Sequence, residues 1–229
     1  MAKLTCFGHR GAAGHAPENT LASVEKAIEL GVDWIEVDVY NIEGELVVFH
    51  DDRLERTTNG TGYVMEQSRT YLRTLDAGNG EKIPLLPEIF DLVDHRVGIN
   101  IELKGTNTAQ PVVQLIERYV ANHNWCYQDF LVSSFNHHEL QAVKQLQPEI
   151  RTGALIVALP IDYAAFAEKL GAYSVHPSIE FINREFVADA HRRNLNVFVF
   201  TVNHPDDLSK METLGADGVF TDYPEIVRN

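Results

Sequence analysis

Short apolar segments alternate along the chain with longer amphipathic stretches. The short segments read as strands at Leu4–Gly8, Trp34–Tyr40, Gly98–Lys104, Phe130–Ser134, Thr152–Val157, Ala172–His176, Asn196–Val202 and Asp217–Phe220. The stretches between them carry helix punctuation. Asn19-Thr20 offers N-cap chemistry for a first helix that runs to Leu30 and stops at Gly31. Further helices are predicted over Leu86–Asp94, Ala109–His123, Asn136–Gln147, Tyr163–Leu170, Asn183–Arg193 and Asp206–Leu214, the last stopping at Gly215, with a short one after Pro224. Strand–helix alternation implies a parallel sheet. Eight such units within 229 residues predict an α/β fold, a (β/α)8 TIM barrel occupying residues 1–229 as one domain; a doubly wound open sheet is the alternative. In a barrel, chemistry is expected at the C-terminal ends of the strands.

One segment breaks the rhythm. From about residue 51 to 83 the chain is polar and glycine-studded, as in Arg56-Thr57-Thr58-Asn59-Gly60-Thr61-Gly62. It follows the second strand and reads as a small insertion over the barrel mouth, where long ordered loops are often functional. Just before it, Glu43-Gly44-Glu45 predicts a hairpin that extends the second strand and brings His50 back towards it.

The strand alternation also exposes candidate chemistry. In Trp34-Ile35-Glu36-Val37-Asp38-Val39-Tyr40, Ile35, Val37 and Val39 share the helix-facing side, so Glu36 and Asp38 share the barrel interior. In Ile99-Asn100-Ile101-Glu102-Leu103-Lys104 the same logic turns Asn100, Glu102 and Lys104 inward, on a neighbouring strand. Carboxylates buried side by side repel and need a cation or a shared proton. Salt bridges of Glu102 with Lys104 or Arg10 are the bland reading; two adjacent strands with the same charged inner face favour a metal site. Three carboxylates without a thiolate or an obviously spaced histidine suit one hard divalent ion, Mg²⁺ or Ca²⁺, with Mn²⁺ as a third candidate. His9 ends the first strand and His50 follows the hairpin, so both fall near this cluster. Imidazoles on two sides of a phosphate could serve as a general acid and a general base. Arg10 offers a fork of donors to a phosphate or carboxylate. The other histidines are read as structural, His176 alone being placed at a strand end where it could line the mouth.

Charge sharpens this picture. The net charge of −14 argues against nucleic acid or an anionic membrane as partner, so an anionic small-molecule substrate needs local positive charge from the site itself. The two cysteines, Cys6 and Cys126, form no disulfide framework and no thiolate metal motif. The start, Met1-Ala2-Lys3-Leu4, lacks a signal-peptide core, and no apolar run reaches the ~20 residues of a membrane helix, so a cytoplasmic location is expected.

Taken in order, His9-Arg10-Gly11, Pro17-Glu18-Asn19-Thr20, Glu36-x-Asp38, His50-Asp51, Glu102-x-Lys104 and Gly215-Ala216-Asp217-Gly218-Val219-Phe220-Thr221-Asp222-Tyr223-Pro224 resemble the glycerophosphodiester phosphodiesterases. Each motif is weak alone; together, and in family order across nearly the whole chain, they are specific. The resemblance implies a TIM barrel that hydrolyses glycerophosphodiesters to an alcohol and sn-glycerol 3-phosphate. It implies His9 and His50 as the acid/base pair, Glu36, Asp38 and Glu102 as metal ligands, and Arg10 and Lys104 as phosphate contacts. One departure stands out: the family often has a tryptophan before Thr-Val-Asn, whereas here Phe200 precedes Thr201-Val202-Asn203. Phe200 is therefore the candidate wall of the leaving-group pocket, aromatic but without an indole donor. Attack by water and attack by the glycerol 2-hydroxyl through a cyclic phosphate both remain open. The rival readings are a metal-dependent lyase or aldolase on the same fold and a non-catalytic phosphodiester-binding protein.

Overall fold

A computed structural model of the chain describes residues 3–228; Met1-Ala2, where the sequence reading of the start begins, and Asn229 lie outside them. The strands are β1 Thr5–Gly8, β2 Trp34–Ile42, β3 Glu45–Val48, β4 Gly98–Leu103, β5 Phe130–Ser134, β6 Arg151–Ile156, β7 Ser174–Pro177, β8 Asn196–Val199 and β9 Gly218–Thr221. The helices are α1 Leu21–Glu29, α2 Arg69–Leu72, α3 Leu86–Val93, α4 Ala109–Asn122, α5 His137–Leu146, α6 Ala165–Lys169, α7 Arg184–Arg192, α8 Pro205–Leu214 and α9 Glu225–Arg228. Strands β1, β2, β4, β5, β6, β7, β8 and β9 pair in parallel in that order, and β9 closes on β1. This is the expected (β/α)8 barrel. Strand β3 is the hairpin partner of β2, antiparallel with Val39 opposite Val48.

Helix boundaries follow local chemistry. Thr20 caps α1 by accepting the Ser23 N–H, Asn136 caps α5 and Asn183 caps α7. Gly215 ends α8 at φ +86°, the left-handed conformation that glycine adopts without a Cβ clash. The predicted elements are present, with ends displaced by a few residues. Among the strands Asn196–Val202 shortens most, to Asn196–Val199, and Phe200 leaves the strand.

Two cores hold the barrel. Ile35, Val37 and Val39 of β2 and Ile99, Ile101 and Leu103 of β4 face the helices, among Val24, Ala27, Phe90 and Val112. Inside the barrel, Phe7, Leu131, Phe198 and Phe220 form an apolar floor, with Phe7 stacked 4.5 Å from Phe220 and tilted 4.8 Å from Phe198. The interior below the mouth is thus solid packing and not a pore. Residues 51–83 gather an apolar cluster of their own, Leu54, Val64, Leu72, Leu75 and Ile83, around Tyr40, Val47 and Phe49 of the hairpin region. That cluster ties the segment to β2 and β3 and so fixes it beside the mouth.

Candidate active site

The β2–β4 register places Glu36 opposite Asn100 and Asp38 opposite Glu102. Because side chains alternate across a strand, these four share the inner face. Ligand oxygens of Glu36, Asp38 and Glu102 lie within 4.8 Å of one another, and Glu36 and Asp38 are buried. Burial, reinforced by the charges of Asp38 and Glu102, holds the Glu36 carboxyl well above the usual carboxylate range. Burial and the Asp38 charge push Glu102 up to about 7 against the pull of Lys104.

Two cations approach the cluster. The Lys104 ammonium lies 2.9 Å from Glu102 Oε1 and 3.8 Å from Asp38 Oδ1. Burial works against its charge, but the two carboxylates outweigh it and raise its pKa. Arg10 donates to Glu18 at 2.6 Å, while its buried Nε has no hydrogen-bond partner and stands 3.6 Å from Asp38. Arg10 adopts φ +52°, a conformation costly for a non-glycine residue, and its backbone N–H then donates to Glu36 Oε2 at 2.9 Å. Gly11, at φ +85°, completes the turn; a Cβ there would meet the Ser23 backbone at 2.5 Å.

The donor set fits a hard divalent ion. All its ligand atoms are oxygens, and Asn100 Oδ1, next to Glu36 in register, is buried without a partner. Glu36 takes the Arg10 backbone N–H, and the Arg10 charge only partly offsets the burial and the repulsion from Asp38 and Glu102 that hold its carboxyl up.

Each histidine is held by an aspartate through Nδ1. His9 pairs with Asp222 Oδ1 at 2.7 Å, and Asp222 also accepts from Asn203 Nδ2 at 2.6 Å. His50 pairs with Asp51 Oδ1 at 2.6 Å. Arg56 clamps Asp51 at 2.6 and 2.9 Å and Glu18 at 2.7 Å, completing a chain from Arg10 through Glu18, Arg56 and Asp51 to His50. The Arg56 bond is the main cause holding the Asp51 carboxyl far below its ordinary value. Burial lowers the His50 pKa and outweighs the pull of nearby carboxylates. With Nδ1 engaged on both rings, Nε2 is the nitrogen left for a substrate.

His9, Arg10, Glu36, His50, Asn100 and Glu102 line one cavity of about 230 Å³, whose other wall is Ser133, Phe135, Leu155, Phe200, Thr201 and Phe220. The structure therefore brings all eight sequence-derived candidates to one place: six line or abut the cluster, Lys104 reaches it from the end of β4, and Phe200 forms part of the opposite wall, edge-on to Phe135 at 5.7 Å. Two expectations change. Asn19 does not cap α1; at φ +58° it turns inward, donates to Asp38 Oδ2 at 2.8 Å and accepts the Asp38 N–H at 3.2 Å. His176 does not line the mouth. It is fully buried beneath it, bonded to Ser174 Oγ at 2.8 Å and set against Phe198 and Phe220.

Sequence reasoning assigned no role to Asp222, Asn203, Asp51, Arg56 or Phe135. Asp51 and Asp222 each carried a signal, one adjacent to His50 and the other inside the Thr221-Asp222-Tyr223-Pro224 motif. Nothing in the spacing marked Arg56.

Residues 9–226 match the model of the glycerophosphoryl diester phosphodiesterase family. The chain is 35% identical to a glycerophosphodiester phosphodiesterase of Caldanaerobacter subterraneus subsp. tengcongensis, over 99% of this chain and 97% of that one. It resembles an Oleispira antarctica phosphodiesterase solved with its product sn-glycerol-3-phosphate, at TM-score 0.87 and 34% identity, covering 98% and 95% of the two chains. A glycerophosphodiester phosphodiesterase from Agrobacterium tumefaciens superposes with TM-score 0.82 at 28% identity over 99% of each chain.

Proposed function

The chain belongs to the glycerophosphoryl diester phosphodiesterase family and is a glycerophosphodiester phosphodiesterase, and we propose that it releases sn-glycerol 3-phosphate by metal-assisted hydrolysis with histidine acid/base catalysis. The observation that carries the reading is the shared cavity. Two aspartate-held histidines open onto the same 230 Å³ space as three clustered carboxylates.

In this reading Glu36, Asp38 and Glu102 hold one divalent ion, Mg²⁺ or Ca²⁺, or Mn²⁺, with Asn100 Oδ1 beside them. Bound there, the ion would act as a Lewis acid on a phosphoryl oxygen. Arg10 and Lys104 add fixed positive charge where the transition state gathers negative charge. Asp222 and Asp51 orient His9 and His50, so that Nε2 of one removes a proton from the attacking oxygen and Nε2 of the other delivers one to the departing alcohol. The two roles belong to the pair. Phe200 and Phe135 form the wall against which part of the substrate packs. Residues 1–229 act as one catalytic domain, with residues 51–83 as an insertion that supplies Arg56.

The substrate is a small molecule. No helix among the described residues is long and apolar enough to cross a membrane. We place the reaction in the cytoplasm, in keeping with the unpaired Cys6 and Cys126. The test is turnover of glycerophosphocholine by protein stripped with EDTA and then resupplied with Mg²⁺, Ca²⁺ or Mn²⁺. Return of sn-glycerol 3-phosphate release with an added ion is expected. No release with any ion would sink the reading, and release that EDTA leaves untouched would remove the metal from it.

A further inference from the structure

Each of the three clustered carboxylates has one oxygen already held by a donor of the protein. Glu36 Oε2 accepts the Arg10 backbone N–H at 2.9 Å, Asp38 Oδ2 accepts from Asn19 Nδ2 at 2.8 Å, and Glu102 Oε1 accepts from Lys104 Nζ at 2.9 Å. The second oxygens, Glu36 Oε1, Asp38 Oδ1 and Glu102 Oε2, accept no hydrogen bond among the described residues. Lys104, at 3.8 Å, comes near Asp38 Oδ1 without bonding to it.

Two of these three donors are fixed. The Arg10 carbonyl accepts both Ser23 Oγ at 2.7 Å and the Asn19 N–H at 3.0 Å, which holds Arg10 in its turn. Asn19 grips Asp38 twice: Nδ2 donates to the carboxylate, and Oδ1 accepts the Asp38 N–H at 3.2 Å. Turning that amide breaks both bonds, and at 3% exposure water has little access to replace them. Lys104 is the loose member, a long flexible stem that can swing from Glu102. Glu36 and Asp38 therefore offer one free oxygen each. Glu102 adds one while Lys104 holds it, and the unpartnered Asn100 Oδ1 is a fourth. Charge does not separate divalent ions, but oxygen count does. Ca²⁺ takes about six to eight oxygens and often both from one carboxylate; Mg²⁺ takes about six, in stricter order, and keeps several waters. Single oxygens from rigidly held carboxylates match the smaller ion.

We propose that the carboxylate cluster selects Mg²⁺ over Ca²⁺, and that Asn19 is the positioning residue that makes the choice, by holding Asp38 to a single free oxygen. This rests on the metal-assisted phosphodiesterase reading of the site and names the ion for it. Asn19 touches neither substrate nor reacting atoms. It acts through Asp38 alone, so its signature is a change in the preference between two ions and not a general loss of binding.

The experiment measures ion binding without substrate, by isothermal titration calorimetry of the full chain, stripped with EDTA and dialysed, against Mg²⁺ alone and Ca²⁺ alone. The wild type is set against Asn19→Gly, which removes the amide and keeps a residue that adopts φ +58° without strain. Asn19→Asp, which keeps the side-chain shape and the acceptor for the Asp38 N–H but loses the donor, serves if the glycine variant does not fold. In the wild type the Kd for Mg²⁺ is expected about tenfold below that for Ca²⁺. Loss of the Asn19 donor should weaken Mg²⁺ by about 10–100-fold, as removal of a partner behind a metal ligand does. Ca²⁺ should weaken by less than about threefold, because a released Asp38 offers both oxygens. A wild type that binds Ca²⁺ as tightly as Mg²⁺ overturns the proposal and leaves the phosphodiesterase reading intact. So does an Asn19 variant in which both ions weaken by the same factor, the outcome of a merely structural role, or in which neither weakens. Binding of neither ion to the wild type takes the metal out of both.

Discussion

His176 should make an acid-labile contribution to the stability of this barrel, opposite in sign to that of the raised carboxyls of Glu36 and Glu102. The ring is fully buried among Phe198, Phe220 and Ser174, and burial alone lowers its pKa from 6.5 to about 3. Its Nδ1 has no partner, and Gly153 leaves room for the ring, since a Cβ there would meet Cε1 at 2.3 Å. The folded state therefore keeps His176 neutral, whereas the unfolded chain protonates it near pH ~6.5. The sign follows from proton counting. Below that pH the unfolded state binds more protons, so the stability contribution is complete above about 6.5 and is lost progressively as pH falls towards the folded value near 3. Each pH unit is worth about 1.4 kcal/mol, so lowering pH from about 7.5 to about 5 should remove about 2 kcal/mol. The assay is urea unfolding of the wild type and His176→Phe at both pH values. Other groups titrate in this window in both proteins, so the informative quantity is the difference between their pH slopes. Phe cannot take up a proton and has aromatic neighbours to pack against; its absolute stability is secondary. His176→Gln, smaller and also uncharged, provides a second comparison. A wild type and variants that lose the same stability between the two pH values would refute the argument.

His9→Ala and His50→Ala should each lower kcat on glycerophosphocholine by about 10²–10⁴-fold with little change in thermal midpoint; a near-normal rate in either removes that histidine from the proton transfers. Glu36→Gln should abolish stabilisation by added Mg²⁺ or Ca²⁺ in thermal melts and, at about pH 8 without metal, should unfold at a higher temperature than the wild type, because it removes one of three mutually repelling carboxylates. Arg56→Ala breaks the clamp on Asp51 and Glu18, so kcat is expected to fall by about tenfold, while stability, for an ion pair this close to the surface, shifts by less than about 1 kcal/mol; steady-state kinetics and urea melts check the two halves separately. Gly11→Ala places a Cβ within 2.5 Å of the Ser23 backbone at a positive φ and should cost about 2–4 kcal/mol by urea denaturation.

Much of this site is legible in the sequence, because strand alternation is a strong rule. Once Ile35, Val37 and Val39 are assigned to the helix side, Glu36 and Asp38 have only the interior left, and the β4 repeat of that pattern adds Asn100 and Glu102. What escaped depends on contacts that local pattern does not encode. Asn19 has the chemistry of a helix cap, and the same amide serves equally well to hold Asp38; only the φ of +58° that turns it inward decides between them. Arg56 looks like one more surface cation of a polar loop until the apolar cluster of Leu54, Val64 and Leu72 fixes that loop against the hairpin. His176 shares an inner face with Ser174, as alternation requires, but its depth is set by the stagger of β7 against β6 and β8, which a single strand does not reveal.

The pairing of His9 with Asp222 spans 213 residues of sequence, and it forms where β9 closes on β1. That seam is the last one a growing chain can make, because β9 emerges after every other strand. Until residues 218–221 dock beside residues 5–8, His9 has no carboxylate to set its tautomer, however well the first half of the barrel has formed. The His9–Asp222 pair is therefore completed by the same event that closes the barrel. With His9 acting as proposed, chains truncated before β9 should lose turnover even where β2 and β4 keep Glu36, Asp38 and Glu102 together.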